Sequence, residues 1–169
     1  MRNLSLHQLR VLANVISRQK DVDAIMKTAV RAVRQVFEAD NAWLLYPAVA
    51  NSPTCRFQYF ACRKTMPCFA RLGKPIVVDN TLQQFFQVMH KRGGEATFPS
   101  TSCVVFRGQL PGMRCQCSQL LLLLKMHNDR PWLFGLCDHA TSEWQQDELD
   151  FFQLLGERLK YTYDSVRLR

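Results

Sequence analysis

Apolar residues recur at steps of three and four through the first 37 positions. Leu6, Leu9, Leu12, Ala13 and Ile16 keep that spacing behind Ser5 and Gln8, whose separation is that of a capping box, and predict a first helix. Asp21 is a suitable N-cap for a second, whose stripe is Val22, Ile25, Met26, Ala29, Val30, Val33, Val36 and Phe37. Lys27, Arg31 and Arg34 fall on its opposite face, so this helix lies on a core and meets water with its basic side. The period then changes to two. NAWLLYP (41–47) and CRFQYFA (55–61) read as strands joined through Asn51, Ser52 and Pro53. A helix is predicted over 81–91, stopped by Gly93 and Gly94, and EATFP reads as a short strand. Residues 99–114, with two prolines and two glycines, read as a loop. Gln119 to His127 and Pro131 to His139 are buried-strand runs, and the short turn at Asn128-Asp129 predicts that they pair antiparallel.

Ser142 and Gln145 repeat the capping-box spacing and predict a terminal helix of about seven turns. Phe152, Leu155, Leu159, Tyr163 and Val166 form its stripe, widened at the start by Trp144, Phe151 and Leu154. Beyond Leu159, KYTYDSVRLR holds few other apolar residues. The far end is therefore expected to pair with a second copy of the chain, aided by Leu9, Leu12 and Ile16 of the first helix.

The 169 residues suffice for one domain with a full core, and composition is ordinary for a globular chain, with 47% apolar and 21% charged residues. The longest strongly apolar run, Leu120 to Leu124, is far below the roughly 20 residues of a membrane span. The first ten residues lack a signal-peptide core, and seven cysteines, an odd number, suit a reducing compartment, so a cytoplasmic protein is expected. The net charge is +8. Residues 1–37 carry seven bases against two acids, and 41–78 hold Arg56, Arg63, Lys64, Arg71 and Lys74 with no acid. These bases accompany no recognisable nucleic-acid-binding motif, so a solvated basic surface without specific nucleic-acid binding is expected.

Residues 118–159, in which Arg130-Pro131-Trp132 leads into Phe134-Gly135-Leu136 and Trp144 precedes Asp147-Glu148, resemble the C-terminal half of a GAF domain. The helix Val22–Phe37 followed by Ala39-Asp40-Asn41-Ala42 resembles the opening of the same family, whereas 62–114 matches no recognisable part. The similarity is greatest to GAF modules of bacterial multidomain sensors joined to histidine kinase or diguanylate cyclase output domains, as in two-component systems. It implies an α+β fold: a six-stranded antiparallel sheet, the N- and C-terminal helices on one face, and a loop and helix cover closing a ligand cavity on the other. The organisation implied is one GAF domain over 1–169, with signalling helices at 1–20 and 142–169 and the helix, sheet and cover in 21–141. The function implied is a non-catalytic sensory module that binds a small ligand, dimerises and relays through its terminal helices.

Within that resemblance, Phe60, Cys62, Phe85, Phe86, Phe98, Phe106 and Cys137 are the candidate pocket residues, because such cavities are mostly apolar and aromatic. Whether the phenylalanines line a cavity or fill the core is left open. The bilin-binding branch has a linking Cys followed by His and a His near the end of the last strand. Here Cys103 precedes Val104, Cys115 precedes Gln116, and Cys137 stands where that His is often found, which argues against a bilin. No Asn-Lys signature of the cyclic-nucleotide branch is present, and haem is not expected either. Two alternatives stand beside the sensory reading. Cys115, Cys117, Cys137 and His139 pair at i and i+2 on adjacent predicted strands, a donor set suited to zinc or iron in a metal or redox sensor. Cys62, flanked by Arg63 and Lys64, with Cys68 and Cys103, is the basis of a methionine sulfoxide type reductase reading.

Overall fold

The computed structural model describes residues 4–63, 73–93, 95–98, 118–138 and 143–168. Helices α1 (Leu6–Ser17) and α2 (Val22–Phe37) precede strands β1 (Asn41–Tyr46), β2 (Thr54–Cys62) and β3 (Ile76–Val77). Helix α3 (Asn80–Lys91), strands β4 (Glu95–Phe98), β5 (Ser118–Leu124) and β6 (Trp132–Asp138), and helix α4 (Gln146–Arg167) follow. The six strands form one antiparallel sheet in the order β3-β2-β1-β6-β5-β4. The α+β order and the six-stranded antiparallel sheet are those expected from the sequence.

Local chemistry sets the helix starts. Ser5 accepts from the Gln8 backbone N–H while the Gln8 side chain accepts from Ser5, and Asp21 and Asp79 each accept from the N–H three residues on. The structure starts α4 later than the sequence suggests: Gln145 is its N-cap, and Glu148 reaches back to the Gln145 N–H at 3.0 Å. Ser142 lies outside the described residues.

The sheet separates two apolar layers. On one side Ala42, Leu44, Leu120, Leu122, Leu124, Trp132, Phe134 and Leu136 meet α1, α2 and α4 through Ile16, Ile25, Val33, Phe37, Phe152 and Leu155. On the other, Trp43, Leu45, Phe57, Leu121, Leu123 and Leu133 meet Leu82, Phe85, Phe86 and Met89 of α3. With both faces covered, β5 and β6 carry apolar residues at successive positions rather than in alternation. A bulge between Leu44 and Leu45 leaves Gln58 as an extra residue in β2 and reverses the strand's parity. Cys55 and Phe57 therefore share the α3 side with Phe60 and Cys62, while Tyr59 and Ala61 face the other helices.

Two glycines permit close approach. A Cβ on Gly135 would lie 2.2 Å from the Trp43 indole, which rests on that strand, and one on Gly156 would lie 2.2 Å from Leu122 where α4 crosses β5.

The far end of α4 corrects the expectation of an intermolecular seam. Leu159 and Tyr163 are buried in the chain's own core together with Leu12 and Ile16 of α1, and Val166 packs on its margin. The stripe is spent within the molecule because Tyr163 joins the core by its ring while its hydroxyl is hydrogen-bonded. Exposed apolar side chains of these helices include Val11 and Val15 of α1, and Leu6, Leu154 and Tyr161, which line a groove of about 510 Å³ between α1 and α4. No helix among the described residues is long and apolar enough to cross a membrane.

Candidate functional site

One transverse row of the sheet concentrates polar side chains. Register places Cys62 of β2 opposite Asn41 of β1, Asn41 opposite Cys137 of β6, and Cys137 opposite Gln119 of β5. Each residue has the parity of the α3-side layer: Asn41 precedes Trp43 by two, Gln119 precedes Leu121 by two, and Cys137 follows Gly135 and Leu133. Three of its four members are closed from water, with Asn41 3%, Cys137 0% and Gln119 1% exposed, and Cys62 at its end is half-buried. Asn41 Oδ1 and both polar atoms of the Gln119 carboxamide have no hydrogen-bond partner among the described residues. Beside the row stands the Trp43 indole, held edge-to-face against Phe57 at 5.1 Å.

The other sequence-derived candidates separate. Phe86 is fully buried and Phe85 nearly so, both in the α3-side core, their rings 6.0 Å apart. Phe60 and Cys62 pack on the margin of that core. Phe98 is opposite Gln119 in β4 by backbone register. Phe106, Cys68, Cys103, Cys115, Cys117 and His139 lie outside the described residues. Among the described residues no three His, Cys, Asp or Glu side chains gather where they could hold a metal ion. Burial pushes the Cys55 thiol up to about 12, so it is no thiolate near neutral pH.

A second constellation lies at the opposite end of β1, on the helical side. Asp129, in the β5–β6 turn, accepts from the Tyr46 hydroxyl at 2.6 Å, the Tyr163 hydroxyl at 2.8 Å and the Arg130 N–H at 2.8 Å. The Arg167 guanidinium stands 3.6 Å from the same carboxylate and donates to the His127 carbonyl, while the His127 N–H donates to Asp164. Burial raises the Asp129 pKa, but the two tyrosine hydroxyls, the Arg130 N–H and Arg167 outweigh it and hold the carboxyl below its ordinary value. Burial, with the carboxylate beside it, pushes Tyr163 up to about 12. Trp132 fills the space between, its ring 4.5 Å from Tyr46 and 6.2 Å from Tyr163. The turn is thereby clamped to the last two turns of α4.

Sequence reasoning missed Asn41, Gln119, Asp129 and Tyr46. Gln119 had a signal, a carboxamide at even spacing from Leu121 and Leu123 ahead of a leucine run. The Asp129 clamp had none, since its members are 34 and 83 residues apart. Much of the basic face of α2 is used locally: Lys27 pairs with Asp23 at 2.8 Å, and Arg34 donates to the Ala39 carbonyl beyond the helix end.

No protein-family model matches the chain, and no curated protein matches it by sequence. Solved structures do match. A phycocyanobilin-bound GAF domain from a cyanobacterial phytochrome is 16% identical with a TM-score of 0.74, over 98% of each chain. A phycoerythrobilin-bound GAF domain from a cyanobacterial phytochrome is 13% identical with a TM-score of 0.72, over 96% of this chain and 95% of that one. The chromophore-binding domain of an unusual bacteriophytochrome from R. palustris is 10% identical with a TM-score of 0.72, over 99% of this chain and 64% of its own length. The chain has the GAF fold. The expectation against a bilin is corrected by the same comparison: structures of this fold, matched over 98% and 95% of their own length, hold phycocyanobilin and phycoerythrobilin. Two motif features, the linking Cys-His sought at Cys103 and Cys115 and the His replaced by Cys137, were too narrow a basis for setting that ligand class aside.

Proposed function

We propose that this chain is a non-catalytic sensory module of a bacterial signalling protein, which binds a small molecule on the α3 side of its sheet and relays occupancy through α4. The observation that carries this reading is the sharing of strands. β1, β5 and β6 form the floor beneath the candidate ligand row, and the same three strands are tied to α4 through Tyr46, Asp129 and Tyr163. A ligand that shifts β1 against β6 moves two of the three anchors of the clamp. Such a shift requires the ligand to favour one arrangement over the other. The output would be a histidine kinase or diguanylate cyclase domain in a cytoplasmic protein, with two copies paired across the exposed faces of α1 and α4 at Leu6, Leu154 and Tyr161. The exposure of those three side chains supports that surface, and no longer Leu159 or Val166.

Linear tetrapyrroles are the first ligands to test, because fold neighbours hold them. Native mass spectrometry of the chain as isolated, and again after incubation with phycocyanobilin and phycoerythrobilin, reads any retained mass together with oligomer state. A bound small molecule at unit stoichiometry supports the reading. A chain that carries nothing and takes up neither bilin nor any member of a broad metabolite set overturns it.

A further inference from the structure

The polar row has a composition that the rest of the sheet does not explain. Around Gln119 the positions on the same face are Leu121 and Leu123, and a leucine at 119 would continue that layer without burying a polar group. Instead a carboxamide is placed where it is 1% exposed, with neither its oxygen nor its nitrogen partnered among the described residues. Asn41 repeats the pattern two strands away, its Oδ1 buried and unpartnered. Buried polar groups are paired almost everywhere in native proteins, so a cluster left unpaired marks a site where a partner arrives from outside.

The unpaired atoms state what that partner offers. Asn41 Oδ1 accepts and asks for an N–H or O–H. Gln119 presents an acceptor and a donor side by side and asks for an amide-like edge. No charged side chain belongs to the row, which holds Cys62, Asn41, Cys137 and Gln119. An ionised ligand group between the buried Asn41 and Gln119 would therefore leave water without a counter-charge among the described residues of the row. Neighbouring strands lie about 4.8 Å apart, so the two carboxamide positions stand roughly 10 Å apart across Cys137, a gap that one flat ring with a hydrogen bond at each end bridges. The Trp43 indole, seated on Gly135, supplies an aromatic wall beside that ring.

Resting on the sensory reading above, we propose that Asn41 and Gln119 bind the edge of an uncharged cyclic amide, a lactam, imide or ureide ring carrying both N–H and C=O, held against Trp43 and above Cys137.

The test uses the full chain with hydantoin and uracil as probes, benzoate as a charged ring and toluene as an apolar one, read by thermal shift and titration. Hydantoin or uracil raises the melting temperature, while benzoate and toluene do not. Gln119→Leu and Asn41→Leu each weaken the effective probe by about tenfold, the loss of one well-made hydrogen bond in a dry site. In the ligand-free chain Gln119→Leu raises the melting temperature by about 2–4 °C, because it removes an unpaired polar group. A fall in that temperature shows that the carboxamide has a structural partner and overturns the proposal. Equal retention of a native ligand by wild type and both variants in mass spectrometry overturns it while leaving the sensory reading standing. Binding of benzoate or toluene in preference to the amides does the same. A chain that responds to no probe and retains no ligand overturns both.

Discussion

Replacing Asp129 by alanine removes the centre of the clamp between the β5–β6 turn and α4. Tyr163 is 5% exposed, so its largely buried hydroxyl loses a charged acceptor at 2.8 Å, a cost of about 1–3 kcal/mol. Tyr46, partly open to solvent, loses a 2.6 Å bond and rehydrates, which costs about 1 kcal/mol. The Arg167 pair at 3.6 Å, its guanidinium one-third exposed, adds no more than about 0.5 kcal/mol. Asp129→Ala is therefore expected to lower unfolding stability by about 3 kcal/mol. For a chain of this length that is a fall in Tm of about 6–12 °C. Urea denaturation followed by tryptophan fluorescence, with Trp132 packed between the two tyrosines, measures it directly. Tyr163→Phe in both backgrounds closes a double-mutant cycle, with an expected coupling of about 1–2 kcal/mol. A loss below about 1 kcal/mol for Asp129→Ala, or additivity in the cycle, would show that the turn and α4 are not held by this carboxylate.

The pH dependence follows from the same group. Its folded pKa is lowered from 3.8, so the stability it contributes is complete above about pH 4 and is lost as pH falls through the lower folded value; Asp129→Asn should flatten that acid limb in urea titrations. Tyr163, raised from 10.0 to about 12, contributes fully below pH 10 and loses its contribution as pH rises to about 12, a limb that Tyr163→Phe removes. Gly135→Ala sets a methyl 2.2 Å from the Trp43 indole, which is itself wholly buried, and should cost about 3 kcal/mol by calorimetry. Leu159→Asp places a charge in the helical core and should give an unfolded chain by circular dichroism, not a folded monomer.

The ends of the chain were the legible parts. α2 was legible because a 16-residue helix with one buried stripe states its period many times over. β5 and β6 were legible because leucine runs bounded by a polar turn leave little choice. β2 was not: CRFQYFA alternates on paper, but the bulge at Gln58 changes which residues meet which layer, and a bulge has no local signature in hydropathy. The last turns of α4 misled for a different reason. Tyr163 and Thr162 count as polar or amphipathic in a pattern, yet both are buried, and the tyrosine enters the core because a distant carboxylate accepts its hydroxyl. Long-range hydrogen bonding of this kind is invisible to periodicity. For the candidate site, Cys62 and Cys137 were singled out, but the carboxamides between and beside them emerged only when register aligned four strands.

The pairing of β1 with β6 has a consequence for how freely this frame tolerates change. These two strands are joined side by side, yet the chain between Tyr46 and Trp132 leaves and returns through that single seam. The entropy of closing such a loop grows only with the logarithm of its length, so doubling it costs about 0.6 kcal/mol. The two apolar layers are walled off from one another by the sheet, and α1, α2 and α4 draw on only one of them. Within the loop, β2 and β5 lend Tyr59, Ala61, Leu120, Leu122 and Leu124 to the helical layer, whereas α3 draws on the other layer alone, so the stretch around α3 can lengthen or shorten with least disturbance to the helical half. A frame built in this way can change what covers one face of its sheet while the helices on the other face keep their packing.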